Sequence, residues 1–242
     1  MSDFSDQRIA TGFAHVAEDI HGNADRRCPT VLLLDVSGSM SGPPLAELQA
    51  GLTQYIDEVA ADSLAKRRLE IAIITFGGKV QIAQEFATPE RILIPTLNAT
   101  GDTPMGQAIV TGLNLLKERR IELSRQAVPQ YKPWVFLITD GGPTDDGSEM
   151  WHEAIRRLRD SRTNNAQFFA VAVEGANLDK LQQLCEETRP SSEASRPPLK
   201  LQGIRFRDLF KWISQSQKAI TQSTPGDKVP LPSVSGWADT LS

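Results

Sequence analysis

Cysteine is scarce in this chain of 242 residues: Cys28 and Cys185 stand alone and far apart. Two such thiols read as reduced, which excludes a disulfide framework and a cysteine-built zinc site. Positive charge is also short. Lysine and arginine number 26 against 30 acids, a net charge of −4, which speaks against generic binding to nucleic acid or anionic membranes. No apolar run approaches the roughly 20 residues of a membrane span, and the opening MSDFSDQRIA lacks the basic-then-apolar order of a secretory signal. A phosphate-binding G-x-x-x-x-G-K-[ST] loop and any internal repeat are missing as well. These absences point to a cytoplasmic chain whose partner is a protein or a metal ion. Hydrophobic content is an ordinary 40%, enough for one sizeable core and inconsistent with a coiled coil or a disordered chain.

Residues 1–27 are polar and without sustained period, apart from a short amphipathic stretch over Ile9–Ile20, and are expected to be a flexible leader. A domain is expected over residues 28–223. Thr30–Val36 (TVLLLDV), Leu69–Phe76 (LEIAIITF), Trp134–Thr139 (WVFLIT) and Phe168–Val173 are apolar runs of the kind buried on both faces of a parallel sheet. Gly77-Gly78 before Lys79–Phe86 predicts a hairpin into an antiparallel edge strand. Leu199–Leu201 offers a sixth strand. Helices are predicted after Pro43-Pro44, with Leu48, Leu52, Tyr55, Ile56 and Val59 at helical spacing, and from Pro104, with Met105, Ile109, Leu113 and Leu116. Further helices are predicted over Met150–Arg162, Leu178–Glu187 and Phe206–Ser223. The alternation implies a doubly wound α/β domain: a mostly parallel six-stranded sheet, one antiparallel edge strand, helices on both faces. Arg189–Pro198 is expected to be a surface loop, and residues 224–242 a proline-rich tail. Trp237 in that tail either folds back on the domain or docks in a partner.

In open α/β sheets ligands sit beyond the carboxyl ends of strands, at the switch point of the winding. Asp35 ends the first strand and Asp140 follows the fourth, so two like charges would converge there and call for a cation. Ser37 and Ser39 alternate after Asp35, and Thr103 lies in the loop NATGDTP before the Pro104 helix. Oxygen groups of this kind suit a hard ion such as Mg²⁺ or Mn²⁺, and no histidine or cysteine lies in these loops to favour zinc or copper. Taken singly, each serine, threonine or aspartate is explained as well by a turn or a helix cap. Taken together, in three loops at one edge of the sheet, they are not.

The set DVSGS (Asp35, Ser37, Ser39), the Thr103 of GDTP and the TDG of Thr139-Asp140-Gly141 resemble the metal-ion-dependent adhesion site of von Willebrand factor A (VWA) domains. That resemblance covers residues 29–222 and implies a Rossmann-like sheet of order 3-2-1-4-5-6. It further implies a non-catalytic module in which Asp35, Ser37, Ser39, Thr103 and Asp140 hold Mg²⁺ or Mn²⁺. A carboxylate from a partner protein would complete the ion's shell. LLLDVSGSMSG and the tail with PGDKVPLP and GW are similar to the bacterial tellurite-resistance-associated, TerY-like VWA proteins. That narrower likeness implies a stress-response or defence complex beside a kinase or phosphatase. Asp102 departs from the small residue usual beside the site threonine and is expected to be a solvated loop acid. Asp145, Asp146 and Glu149 are expected to favour a helix N-terminus.

Two enzymatic readings compete. Gly38-Ser39-Met40-Ser41-Gly42 approaches a nucleophile elbow, but Met40 occupies the serine position of G-x-S-x-G. A metal-dependent phosphatase with an aspartate nucleophile would want a second acid where Ser37 stands. The basic clusters Lys66–Arg68, Lys117–Arg120 and Arg156–Arg162 lack interleaved aromatics and read as solvated helix faces.

Overall fold

Strand β1 (Cys28–Asp35) is buried along its whole length, because its alternating side chains find a helical layer on each side. Leu32 and Leu34 face one core, and Val31 and Leu33 the other. Fully burying each such side chain contributes about 1.5–3 kcal/mol, so the run is stable only at the centre of a covered sheet. The computed structural model describes residues 25–160, 166–188, 196–224 and 229–240. The expected leader helix over Ile9–Ile20 lies outside the described residues, as do residues 189–195 of the expected surface loop.

Helix α1 (Pro43–Ala60) follows β1, and the single turn α2 (Ala65–Arg68) leads into β2 (Leu69–Gly77), which is buried throughout. The Gly77-Gly78 turn delivers the antiparallel edge strand β3 (Lys79–Ala87). Then come α3 (Met105–Arg125), β4 (Trp134–Thr139), α4 (Glu149–Arg159), β5 (Gln167–Ala172), α5 (Leu178–Glu187), β6 (Leu199–Leu201), α6 (Phe206–Gln222) and β7 (Ala238–Thr240). Ser148 caps α4 by accepting from Trp151 N, and Asn177 caps α5 by accepting from Lys180 N.

The sheet order is β3-β2-β1-β4-β5-β6-β7. The expected order thus holds over six strands and is extended by a seventh, so both edges of the sheet, and not one, carry an antiparallel pair. The extra strand comes from the proline-rich tail, and Trp237, 8% exposed, folds back onto the domain. One core packs α1 and α6 on the sheet through Leu48, Leu52, Phe206 and Phe210; the other packs α3, α4 and α5 through Ile109, Leu113, Trp151 and Leu184.

Polar groups inside the first core are satisfied in series. Tyr55 donates its hydroxyl to Gln217 Oε1, and Gln217 Nε2 donates to Thr30 Oγ1 at 2.7 Å, tying α1, α6 and β1 together. At the amino ends of the strands Glu70 is fully buried between two arginines. Arg119 Nε and a terminal nitrogen lie 2.8 and 2.5 Å from its oxygens, and Arg27 Nε lies at 3.3 Å. These contacts close the pole of the sheet opposite the site.

Candidate metal centre

β1 and β4 are parallel neighbours with Leu34 opposite Ile138. The next pair in that register is Asp35 and Thr139, at the carboxyl end of the sheet where the winding diverges. The chain leaves β1 there in a turn of 3₁₀-helix over Gly38–Met40. Asp35 Oδ1 accepts from Ser37 N at 2.8 Å, and Asp35 Oδ2 accepts from the Thr139 hydroxyl. The Ser37 and Ser39 hydroxyl oxygens lie 3.1 Å apart, and Ser39 donates to Asp140 Oδ1 at 2.8 Å. Asp35, Ser37, Ser39 and Asp140 therefore form one hydrogen-bonded chain across two loops.

Thr103 reaches the same place from the loop before α3. Its hydroxyl oxygen lies 3.5 Å from where a Cβ would stand on Gly141, so the glycine leaves the room that the threonine side chain uses. Thr103 N donates to Thr144 Oγ1 at 3.1 Å and Thr144 N donates back to Thr103 O at 3.0 Å, which pins this loop to the one after β4. On its other side the loop is held by Thr100 N to Val36 O at 2.8 Å, Gly38 N to Gly101 O at 2.9 Å and Gly78 N to Asp102 O at 2.7 Å. Gly101 has φ of 62°, and a Cβ there would meet Gly78 Cα at 2.5 Å. Glycine is the residue that satisfies both the left-handed backbone and the close approach.

All five expected site residues thus come to one end of the sheet. Asp35, Ser37, Thr103 and Asp140 are buried and Ser39 is exposed, so the hydroxyl of Ser39 stands at the mouth. Asp102 is exposed, and its bond to the β2–β3 turn is made by its backbone carbonyl. Burial is the largest influence on Asp35 and pushes its carboxyl above the usual carboxylate range. The Ser37 and Thr139 bonds oppose that rise, and the Asp140 charge adds to it. Two buried carboxylates with three hydroxyl groups beside them form an all-oxygen donor set that fits a hard divalent cation, whose charge would offset the cost of burying the acids. Among the described residues no group of three or more histidine, cysteine, aspartate or glutamate side chains is placed to hold a metal, so any ion here depends on hydroxyl donors.

The acids after β4 divide by role. Asp145 does meet a helix N-terminus, but that of α3, not of the helix that follows it. Its Oδ1 and Oδ2 accept from Gly106 N and Gln107 N at 3.1 and 2.9 Å. Asp146 pairs with Lys180 at 2.8 Å, and Glu149 opens α4. Sequence reasoning missed Thr139 as the residue that fixes Asp35. The signal for it was a hydroxyl closing an otherwise apolar strand directly before Asp140.

The family model for the von Willebrand factor type A domain matches residues 30–198. A search of curated proteins returns no match. Among solved structures, the D319A mutant of the PilB minor pilin from Streptococcus sanguinis aligns over 83% of this chain and 64% of its own, at 12% identity and a TM-score of 0.60. The ArnB paralog VWA2 from Sulfolobus acidocaldarius aligns over 79% and 45%, at 14% and 0.54. Manganese-loaded TRAP protein from Plasmodium vivax aligns over 69% and 65%, at 17% and 0.50. The chain spans less than two thirds of the length of each, and at these identities the likeness is one of fold. With a match over most of its length and the sheet order of such domains, the chain belongs to the von Willebrand factor type A domain family.

Proposed function

We propose that this chain is a metal-ion-dependent protein-binding module, without catalytic activity of its own, whose site is Asp35, Ser37, Ser39, Thr103 and Asp140. The observation that carries the reading is the hydrogen-bonded chain from Asp35 through Ser37 and Ser39 to Asp140, which converges oxygen donors from two loops at the carboxyl end of the sheet. Mg²⁺ or Mn²⁺ held there would supply a Lewis-acidic positive centre able to take a carboxylate from another protein. Hydroxyl donors are neutral and leave much of the ion's charge unquenched. Asp35 and Asp140, set behind the hydroxyls, would offset only part of that charge, and the bond from Thr139 keeps Asp35 oriented from below. Family membership supports the reading, and so does the manganese-loaded state of the TRAP neighbour. Asp or Glu is the side chain expected of the partner.

The likeness of LLLDVSGSMSG and the tail to TerY-like proteins supports a place in a bacterial stress-response complex of the tellurite-resistance kind, in the cytoplasm, beside a kinase or phosphatase. Thermal unfolding with and without Mg²⁺ or Mn²⁺ tests the site, since an ion bound by the folded state alone raises the melting temperature by mass action. The wild type should melt higher with either ion than in chelator, and Asp35→Ala should show no rise. Equal metal responses in the two proteins would overturn the assignment.

A further inference from the structure

Residues 229–240 are held on the domain in the way a bound peptide is held. Of these twelve residues, Trp237 and Ala238 are buried and the rest are half-buried or exposed. β7 adds to the edge of β6 in antiparallel register, with Leu201 opposite Ala238 and Leu199 opposite Thr240. The body then grips backbone carbonyls. Trp212 Nε1 donates to Pro232 O at 2.8 Å, Gln202 N donates to Trp237 O at 2.9 Å, and the Arg205 guanidinium donates to Gly236 O. The Trp237 ring packs on Trp212 with centroids 6.0 Å apart, and Trp212 meets Phe169 edge-on. Strand addition, carbonyl contacts and one aromatic anchor are the means by which an extended peptide is recognised at a sheet edge. A segment with so few buried side chains also opens at lower free energy than the domain beneath it.

We propose that the groove between β6 and α6 is an acceptor site for an extended segment, and that residues 229–240 are its tethered occupant, exchangeable with the same segment of a second copy. This segment is the ligand whose fit to the groove the structure displays, and every further copy carries it. The complementarity holds between chains as it does within one. Self-occupation prevails because the tether keeps the segment at an effective concentration of about millimolar.

Nine steps from Ser223 to Pro232 can reach about 30 Å, so the length of the tether can be cut until self-occupation fails. From Trp212 to Gln222, α6 rises about 15 Å, and the chain must retrace that length to bring Pro232 back to the Trp212 indole. Deleting residues 224–228 leaves four steps from Ser223 to Pro232, a reach of about 14 Å, too short for self-occupation. The deletion variant should therefore sediment at twice the monomer mass, with Trp237 as protected from acrylamide quenching as in the wild type. Adding Trp237→Ala to the deletion should return it to a monomer. A deletion variant that melts cooperatively yet stays monomeric across a wide concentration range would overturn the proposal. Should the deletion variant not fold, the intact wild type takes a fluorescent synthetic peptide of residues 225–242 just below its melting temperature. A saturable rise in anisotropy, lost with Trp237→Ala in the peptide, supports exchange, and a flat titration overturns it.

Discussion

Ser39 donates its hydroxyl proton to Asp140 Oδ1 across 2.8 Å, bridging the loop after β1 to the loop after β4. Because Ser39 gives its one proton to Asp140, the 3.1 Å contact with Ser37 is donated by the Ser37 hydroxyl, which leaves one Ser39 lone pair for a cation to take without breaking the bridge. Ser39 is exposed whereas the acids on either side of the site are buried.

Ser39→Ala should therefore separate the two roles. In chelator its melting temperature should stay within a few degrees of wild type, since one part-exposed hydrogen bond contributes about 0.5–1.5 kcal/mol. Its rise in melting temperature with Mg²⁺ should be clearly smaller than that of wild type. A full metal response in Ser39→Ala, read by differential scanning fluorimetry, would remove Ser39 from the donor set.

The parts of this domain legible in its sequence were those carried by local pattern. TVLLLDV and WVFLIT announce central strands because both faces are apolar, and Asp35 and Asp140 announce the site because a carboxylate follows each run. β7 was illegible: Ala-Asp-Thr has no period, and its pairing with β6 depends on Trp237 reaching Trp212 across the sheet edge. The same holds for Asp145, whose position predicts a cap and whose partner, the α3 terminus, is set by tertiary packing. Glu70 stands inside the apolar run LEIAIITF, and nothing local shows that Arg27 and Arg119 converge on it.

That buried trio yields a stability prediction. Glu70 is fully buried, and removing it would leave the Arg27 and Arg119 charges in a dry pole without their shared acid. Breaking a buried ion pair from one side costs about 3–5 kcal/mol. Glu70→Ala should lower the urea midpoint accordingly with an unchanged slope, and should leave the metal response of the folded protein intact because the pole lies opposite the site. A loss below about 1 kcal/mol would mean that the arginines find solvent without unfolding the sheet.

Gly77 sits where three backbone segments meet below the site. A Cβ on it would stand 2.3 Å from Val36 O and 2.8 Å from Thr100 O, both backbone atoms that cannot rotate away. On Gly38 the nearest atom is Gly101 O at 3.6 Å, an ordinary contact. Gly77→Ala is expected to cost about 1–3 kcal/mol through forced displacement of the 100–103 loop, and to weaken the metal response by moving Thr103. Gly38→Ala should be mild in both respects. Chemical denaturation of the two variants side by side distinguishes them, and equal losses would contradict the packing argument.

The two thiols give a prediction in pH. Burial pushes both Cys28 and Cys185 up from 9.0 to about 12, so the folded protein keeps its thiol protons in a range where the unfolded chain has lost them. Between about pH 9 and 12 the unfolded state thus binds fewer protons than the native state, and stability falls as pH rises, by up to about 1.4 kcal/mol per pH unit for each thiol. Below pH 9 the thiols contribute no slope. At pH 8 the native protein should react very slowly with a thiol-specific disulfide reagent, and the urea-unfolded chain should titrate both cysteines at once. Raising the pH from 9 to 11 should lower the urea midpoint, and the Cys28→Ala, Cys185→Ala double variant should flatten that slope relative to wild type. An unchanged slope in the double variant would point instead to the Tyr55 phenol, which burial also raises.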